Sequence, residues 1–120
     1  QVNENAKMPA FFNAMPEVCH NEIASWGAAG DVTQHHIAPL HLRHDFEHAR
    51  LAQRFEFNET IATSGQGEVM TIQAQGQSPV AQLFDLILFG DQMSLELAAL
   101  RGQDPGPIDV LTELKHLLAE

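Results

Sequence analysis

The chain holds a single cysteine, Cys19, among 120 residues, so no internal disulfide framework exists. A cytosolic setting is the matching expectation. Cations are scarce. Lys and Arg number 6 against 16 Asp and Glu, for a formal net charge of −10. Such a chain repels phosphate backbones, which excludes general nucleic-acid binding. A local helix terminus still permits a small anion. No run approaches the roughly 20 apolar residues of a membrane span, so no membrane partner is expected. A basic segment followed by an apolar signal region is also missing. An initiator methionine is missing too, and the expectation drawn from it is a fragment or a processed chain.

What is present suits one globular domain with a real core: 44% of the residues are hydrophobic. Asn3 is a candidate helix cap with Glu4 in the first turn, which predicts a helix over about 3–14, weakened at Pro9 and ended by Pro16. Residues 19–27 read as a short helical or turn segment with Ile23 and Trp26 on one face. Residues 31–40 offer a strand through Val32, His36 and Ile37 that ends at Pro39. The stripe Leu42, Phe46, Ala49, Leu51, Ala52, Phe55 and Phe57 predicts a helix at about 42–58. Gly65 and Gly67 mark a turn around Gln66.

Residues 68–75 form the best strand, nearly apolar on both faces as in a covered parallel sheet. Ser78 and Pro79 then start a long apolar helix, with a bend expected at Gly90 and a C-cap at Gly102. A last helix begins near Pro107 and shows Ile108, Leu111, Leu114, Leu117 and Leu118 on one face. Strand, helix, strand, helix is the order of α/β layering. Two strands make an incomplete sheet.

Two groups of residues invite chemistry. His41, His44 and His48 fall at i, i+3 and i+7 of the expected helix, where three imidazoles suit zinc. No HExxH spacing accompanies them. Arg43, Asp45, Glu47 and Arg50 around them read instead as a solvated face, and a pH-sensitive contact is a further alternative. Glu4, Lys7, Glu17, His20 and Glu22 gather beside Cys19. Glu4 and His20 are the right types for a general acid/base pair, and equally for an ordinary polar surface. Cys19, next to Val18 and without basic activation, reads as buried rather than nucleophilic. Phe11, Phe12 and Met15 either seed a symmetric interface or cover one edge of the core.

NENAK at 3–7 and PEVCHNEI at 16–23, with the tail from Gly90 to Glu120, resemble the C-terminal region of bacterial and archaeal bifunctional phosphoglucose/phosphomannose isomerases. The resemblance covers both ends in the right order, and the middle, 28–78, only weakly. It implies a sugar isomerase (SIS-like, flavodoxin-like) domain over residues 1–120, complete or as a fragment: a three-layer α/β/α arrangement with a parallel sheet. It implies interconversion of glucose 6-phosphate or mannose 6-phosphate with fructose 6-phosphate, with no metal or organic cofactor.

By the same resemblance Glu4 is the base that moves a proton between C2 and C1 through a cis-enediol. His20 opens the sugar ring across a homodimer interface, and Lys115 approaches the substrate from the last helix. Family members are more than twice this length, with their phosphate-binding serines and threonines mostly upstream, so weak or no turnover is expected of these residues alone. The family often has threonine where this chain has Gly106. The rival readings are a non-catalytic sugar-phosphate-binding or dimerisation domain of the same fold, and a histidine-rich metal-binding module.

Overall fold

A computed structural model describes residues 1–64 and 68–119; the turn expected at Gly65–Gln66–Gly67 lies outside the described residues. The structure is mixed α/β and mostly helical. The described residues form six α-helices, a single 3-10 turn at Glu17–Cys19 and two strands. The helices are α1 (Val2–Asn5), α2 (Ile23–Ala28), α3 (Gly30–His36), α4 (Ala49–Ser64), α5 (Pro79–Leu100) and α6 (Asp109–Leu118). The strands are β1 (Leu40–Arg43) and β2 (Met70–Gln73), paired in parallel with Leu40 opposite Met70 and Arg43 opposite Gln73. The chain divides into two compact units, one of residues 12–86 and one of residues 1–11 and 87–120.

In the first unit α4 connects the two parallel strands, the β-α-β arrangement that a parallel pair requires. The loops leaving the two strands are stapled together by Gln82, from the first turn of α5. Its side chain is 1% exposed. Its Nε2 donates to Asp45 Oδ2 (2.6 Å) and to the Gly76 carbonyl (2.9 Å), and its Oε1 accepts from the Asp45 N–H (2.9 Å). Gly76 has φ +127°, and a side chain there would meet the Ala81 methyl at 2.8 Å, so only glycine lets the loop turn this closely onto α5. Ser78 caps α5 as expected, its Oγ accepting from the Ala81 N–H at 3.2 Å with Pro79 in the first helical position.

Three local expectations are corrected in this unit. Residues 30–36 are helical, not extended. Thr33 is buried there, and its hydroxyl donates to the Trp26 and Ala29 carbonyls. The strand comes later, at Leu40–Arg43, and the following helix starts at Ala49 rather than Leu42. His41 therefore sits on β1, buried, with Nε2 3.0 Å from Asn58 Oδ1 and its ring edge-on to Phe55. His44 and His48 lie in the loop that follows. The three histidines share no helical face. Among the described residues no group of three or more His, Cys, Asp or Glu side chains is arranged to hold a metal ion.

In the second unit α1 is one turn long instead of running to residue 14. Lys7 adopts φ 53°, the left-handed region, which a continuing helix excludes. α5 runs helical through Gly90. The Gln1 side chain lies over Gly90, 2.5 Å from where a Cβ would stand, so this glycine serves a close approach. Gly102, at φ +64°, ends α5 as expected. The Gln103 N–H reaches the Ala98 carbonyl (2.9 Å) and the Gly102 N–H the Ala99 carbonyl (3.0 Å), a Schellman cap. α6 starts at Asp109, two residues after Pro107. Among the described residues no helix is long and apolar enough to cross a membrane.

Candidate active site

The residues Asn3 to Lys7 are almost wholly engaged in holding one tight turn. The Asn3 amide clasps Ala10 from both sides: Nδ2 donates to its carbonyl (2.9 Å) and Oδ1 accepts from its N–H (2.8 Å). Asn5 Nδ2 donates to Ser94 Oγ at 2.8 Å, and that fully buried hydroxyl donates onward to the Asp91 carbonyl (2.8 Å). The Gln1 amide donates to the Asp91 carboxylate. Ala6 is fully buried, which fixes the turn against its own unit. Lys7 Nζ donates to the Glu4 carbonyl (2.6 Å) and to the Pro105 carbonyl (3.3 Å), so one ammonium ties the turn to the DPGP loop at 104–107.

Glu4 is the exception. Its side chain is exposed, and its carboxylate takes no hydrogen bond or ion pair from any described residue. The side chains of Asn3, Asn5 and Lys7 around it take part in five hydrogen bonds, one of them to the Glu4 carbonyl itself. A carboxylate so placed is fixed at its root and unspent at its tip. A free lone pair is one of the things a general base needs. Sequence types alone do not reveal this division, because Asn3, Asn5 and Lys7 look as available for chemistry as Glu4 does.

The same unit contains the DPGP loop and Lys115. Gly106 donates its N–H to Asp104 Oδ1 (2.9 Å), and a Cβ at this position would stand 3.3 Å from the same oxygen. Lys115 is exposed on the last turns of α6, and its ammonium has no partner among the described residues. The apolar residues of α6 are open as well: Val110, Leu111, Leu114, Leu117 and Leu118 are all exposed.

His20 belongs to the other unit. It follows the 3-10 turn Glu17–Cys19, where its N–H donates to the Glu17 carbonyl (2.9 Å). Val18 is buried beneath the turn, which leaves the His20 imidazole exposed and without a partner among the described residues. Glu22 is spent on structure, accepting from Asn13 Nδ2 at 2.9 Å. Cys19 is half-buried with Sγ 3.6 Å from Met15 Sδ, less enclosed than expected. Phe11 and Phe12 are both 95% exposed, so neither covers a core edge within its own unit.

Away from these groups, Glu47 is set in a network of charge-assisted hydrogen bonds. Partial burial pushes the Glu47 carboxyl up, but hydrogen bonds from Arg43 and the His44 N–H, with the charges of both residues, outweigh it and hold the pKa below the ordinary glutamate value. Arg43 grips Glu47 through Nε (2.9 Å to each oxygen) and Nη2 (2.7 Å), and its guanidinium stacks 4.1 Å above Phe55.

Residues 1–118 match the protein family described as the bacterial phospho-glucose isomerase C-terminal SIS domain. Similar curated proteins include the bifunctional phosphoglucose/phosphomannose isomerase of Caldicellulosiruptor bescii, 38% identical over 100% of this chain and 35% of its own length. Those of Aquifex aeolicus and Thermoplasma volcanium are 29% and 32% identical, over 98% and 99% of this chain and 36% and 37% of their own lengths. The chain thus spans about a third of the length of the curated relatives it matches. No solved structure matches it.

Proposed function

The chain belongs to the family of bacterial phosphoglucose isomerase C-terminal SIS domains, and from that premise we propose that it supplies the proton-transferring half of an aldose–ketose isomerase site for hexose 6-phosphates. Glu4 is the base. Its carboxylate takes the proton from C2 of the open-chain aldose, and the C2–H electron pair forms the C1=C2 bond of a cis-enediol as the C1 carbonyl oxygen gains a proton. Returning the proton to C1 while O2 loses its own gives the 2-ketose, so no atom or electron is gained or lost. His20 shuttles the proton that opens the hemiacetal ring, and Lys115 offsets negative charge developing on oxygen.

The observation that carries this reading is the contrast within NENAK: Asn3, Asn5 and Lys7 are consumed in fixing the backbone, and the Glu4 carboxylate is left open. The proposed setting is a three-layer α/β/α domain spanning residues 1–120, working beside further sequence and in a homodimer in which His20 crosses to the partner's site. The open apolar residues of α5 and α6, Leu83, Phe84, Leu88, Leu114 and Leu117 among them, and the exposed Phe11 and Phe12 support burial against more protein. Glucose 6-phosphate, mannose 6-phosphate and fructose 6-phosphate are the proposed substrates.

A non-catalytic phosphosugar-binding or dimerisation domain of the same fold is the second reading, favoured by Gly106. In the loop that Lys7 ties to Glu4, the resemblance implies a threonine hydroxyl that glycine does not offer. Steady-state conversion of glucose 6-phosphate by the full-length protein carrying this chain separates the two. On the first reading turnover is present and Glu4→Gln lowers kcat by roughly 10²–10⁴-fold with KM little changed. Absence of turnover in the wild type selects the second.

A further inference from the structure

A cleft of about 380 Å³ lies in the unit of residues 12–86, lined by Cys19, Ile23, Arg50, Gln53, Arg54 and Phe57. Arg50 and Arg54 are one turn apart on α4, so their side chains leave the same face about 6 Å apart along the axis. Neither guanidinium has a hydrogen bond or ion pair among the described residues. Both side chains are exposed, so their charges are open to a ligand. Arg43, by contrast, is fully committed to Glu47 and Phe55.

Position makes the pair stranger. Arg50 stands in the first turn of a 16-residue helix, where the partial positive charge of the helix end disfavours a cation, and that turn carries no acid. The nearest upstream carboxylate, Glu47, is held by Arg43. Two unpaired guanidiniums, one on a positive helix end, therefore line an open cleft together with the half-buried Ile23 and the exposed ring of Phe57.

We propose that this cleft is a second binding site, for a small organic dianion: a doubly charged oxyanion group held by Arg50 and Arg54, with its carbon body on Ile23 and Phe57. A forked pair of guanidiniums suits such a group, which takes two or more parallel N–H···O bonds. Glu4, His20 and Lys115 are not among the residues that line the cleft, although Cys19 is the chain neighbour of His20.

Residue-resolved labelling with phenylglyoxal, read by mass spectrometry on the full-length protein at low salt, tests the proposal. Both arginines are expected to label in the free protein. Inorganic pyrophosphate should slow Arg50 and Arg54 by about tenfold in a saturable way and leave Arg101 unchanged. Malonate run in parallel distinguishes sources: protection by pyrophosphate alone assigns a phosphoanion, and protection by malonate as well assigns dianions generally. Arg54→Gln should abolish the protection of Arg50. Equal labelling with and without either anion overturns the proposal, as does undiminished protection of Arg50 in Arg54→Gln. Protection by an oligoglutamate peptide alone also overturns it, in favour of an acidic protein partner.

Discussion

The Lys7 ammonium donates to the backbone carbonyl of Glu4 at 2.6 Å, so a cation three residues along the chain fixes the main chain of the proposed base without touching its carboxylate. A direct Lys7–Glu4 ion pair would neutralise the very group that must accept a proton. Bonding the carbonyl instead holds the main chain in place and leaves the carboxylate oxygens free. Because the same Nζ reaches Pro105, the loop at 104–107 is set by the same contact.

Lys7→Met removes both carbonyl contacts and keeps a side chain in the left-handed region. The expected result is a loss of about 1–2 kcal/mol in unfolding free energy and a fall of roughly tenfold to a hundredfold in kcat. Lys7→Gly loses the same contacts but relieves the backbone, so it should be more stable than Lys7→Met by about 1 kcal/mol and just as slow. Urea unfolding and steady-state kinetics on the two variants check this. Full turnover in both would remove Lys7 from the positioning role.

Gln82 should be the polar side chain on which the loops at the strand ends most depend. Gln82→Leu keeps similar bulk but strands the Asp45 N–H and the Gly76 carbonyl. A loss of roughly 2–3 kcal/mol is expected by urea denaturation. A change within about 0.5 kcal/mol, as at ordinary surface sites, would show that the staple is dispensable.

Acid sensitivity should arise in part at Glu47. Its carboxyl has a lower pKa folded than unfolded, so its contribution is fully present above the unfolded value of about 4.3 and fades as pH falls through the folded one. The stability gap between wild type and Glu47→Gln should therefore be widest near neutrality and shrink below about pH 4. A gap independent of pH, measured by urea midpoints, would assign Glu47 a role without charge.

How much of this was open to sequence reasoning follows the physics of each segment. α5 is long and its cap residues Ser78 and Gly102 act locally, and α6 shows a clear apolar period, so periodicity and capping sufficed. The four-residue β1 is too short to declare a period. Leu40 and Leu42 merge with the apolar stripe of α4, which drew the expected helix back over the strand and set three histidines on a face they do not share. Residues 30–36 carry β-branched Val32 and Ile37 nearby, yet Thr33 bonds back to the preceding helical carbonyls and the segment coils. At the site, the residues of NENAK were legible, but their division of labour depended on the φ of Lys7 and on Ser94, 89 positions from its partner Asn5.

A shared site makes a prediction about mixtures. Full-length Glu4→Gln and His20→Ala should each be nearly inactive alone. Mixed and allowed to exchange subunits, they form heterodimers in which one of two sites regains both residues, for roughly a quarter of wild-type activity at statistical exchange. Mixtures as inactive as the separate variants would place His20 outside a cross-subunit role.

The base assignment itself is tested most directly by isotope exchange. With glucose 6-phosphate in deuterated water, the wild-type full-length protein should place deuterium at C1 of the fructose 6-phosphate it forms, read by NMR, and Glu4→Gln should place none while still binding the sugar phosphate. Deuterium incorporation by Glu4→Gln at the wild-type rate would contradict the account.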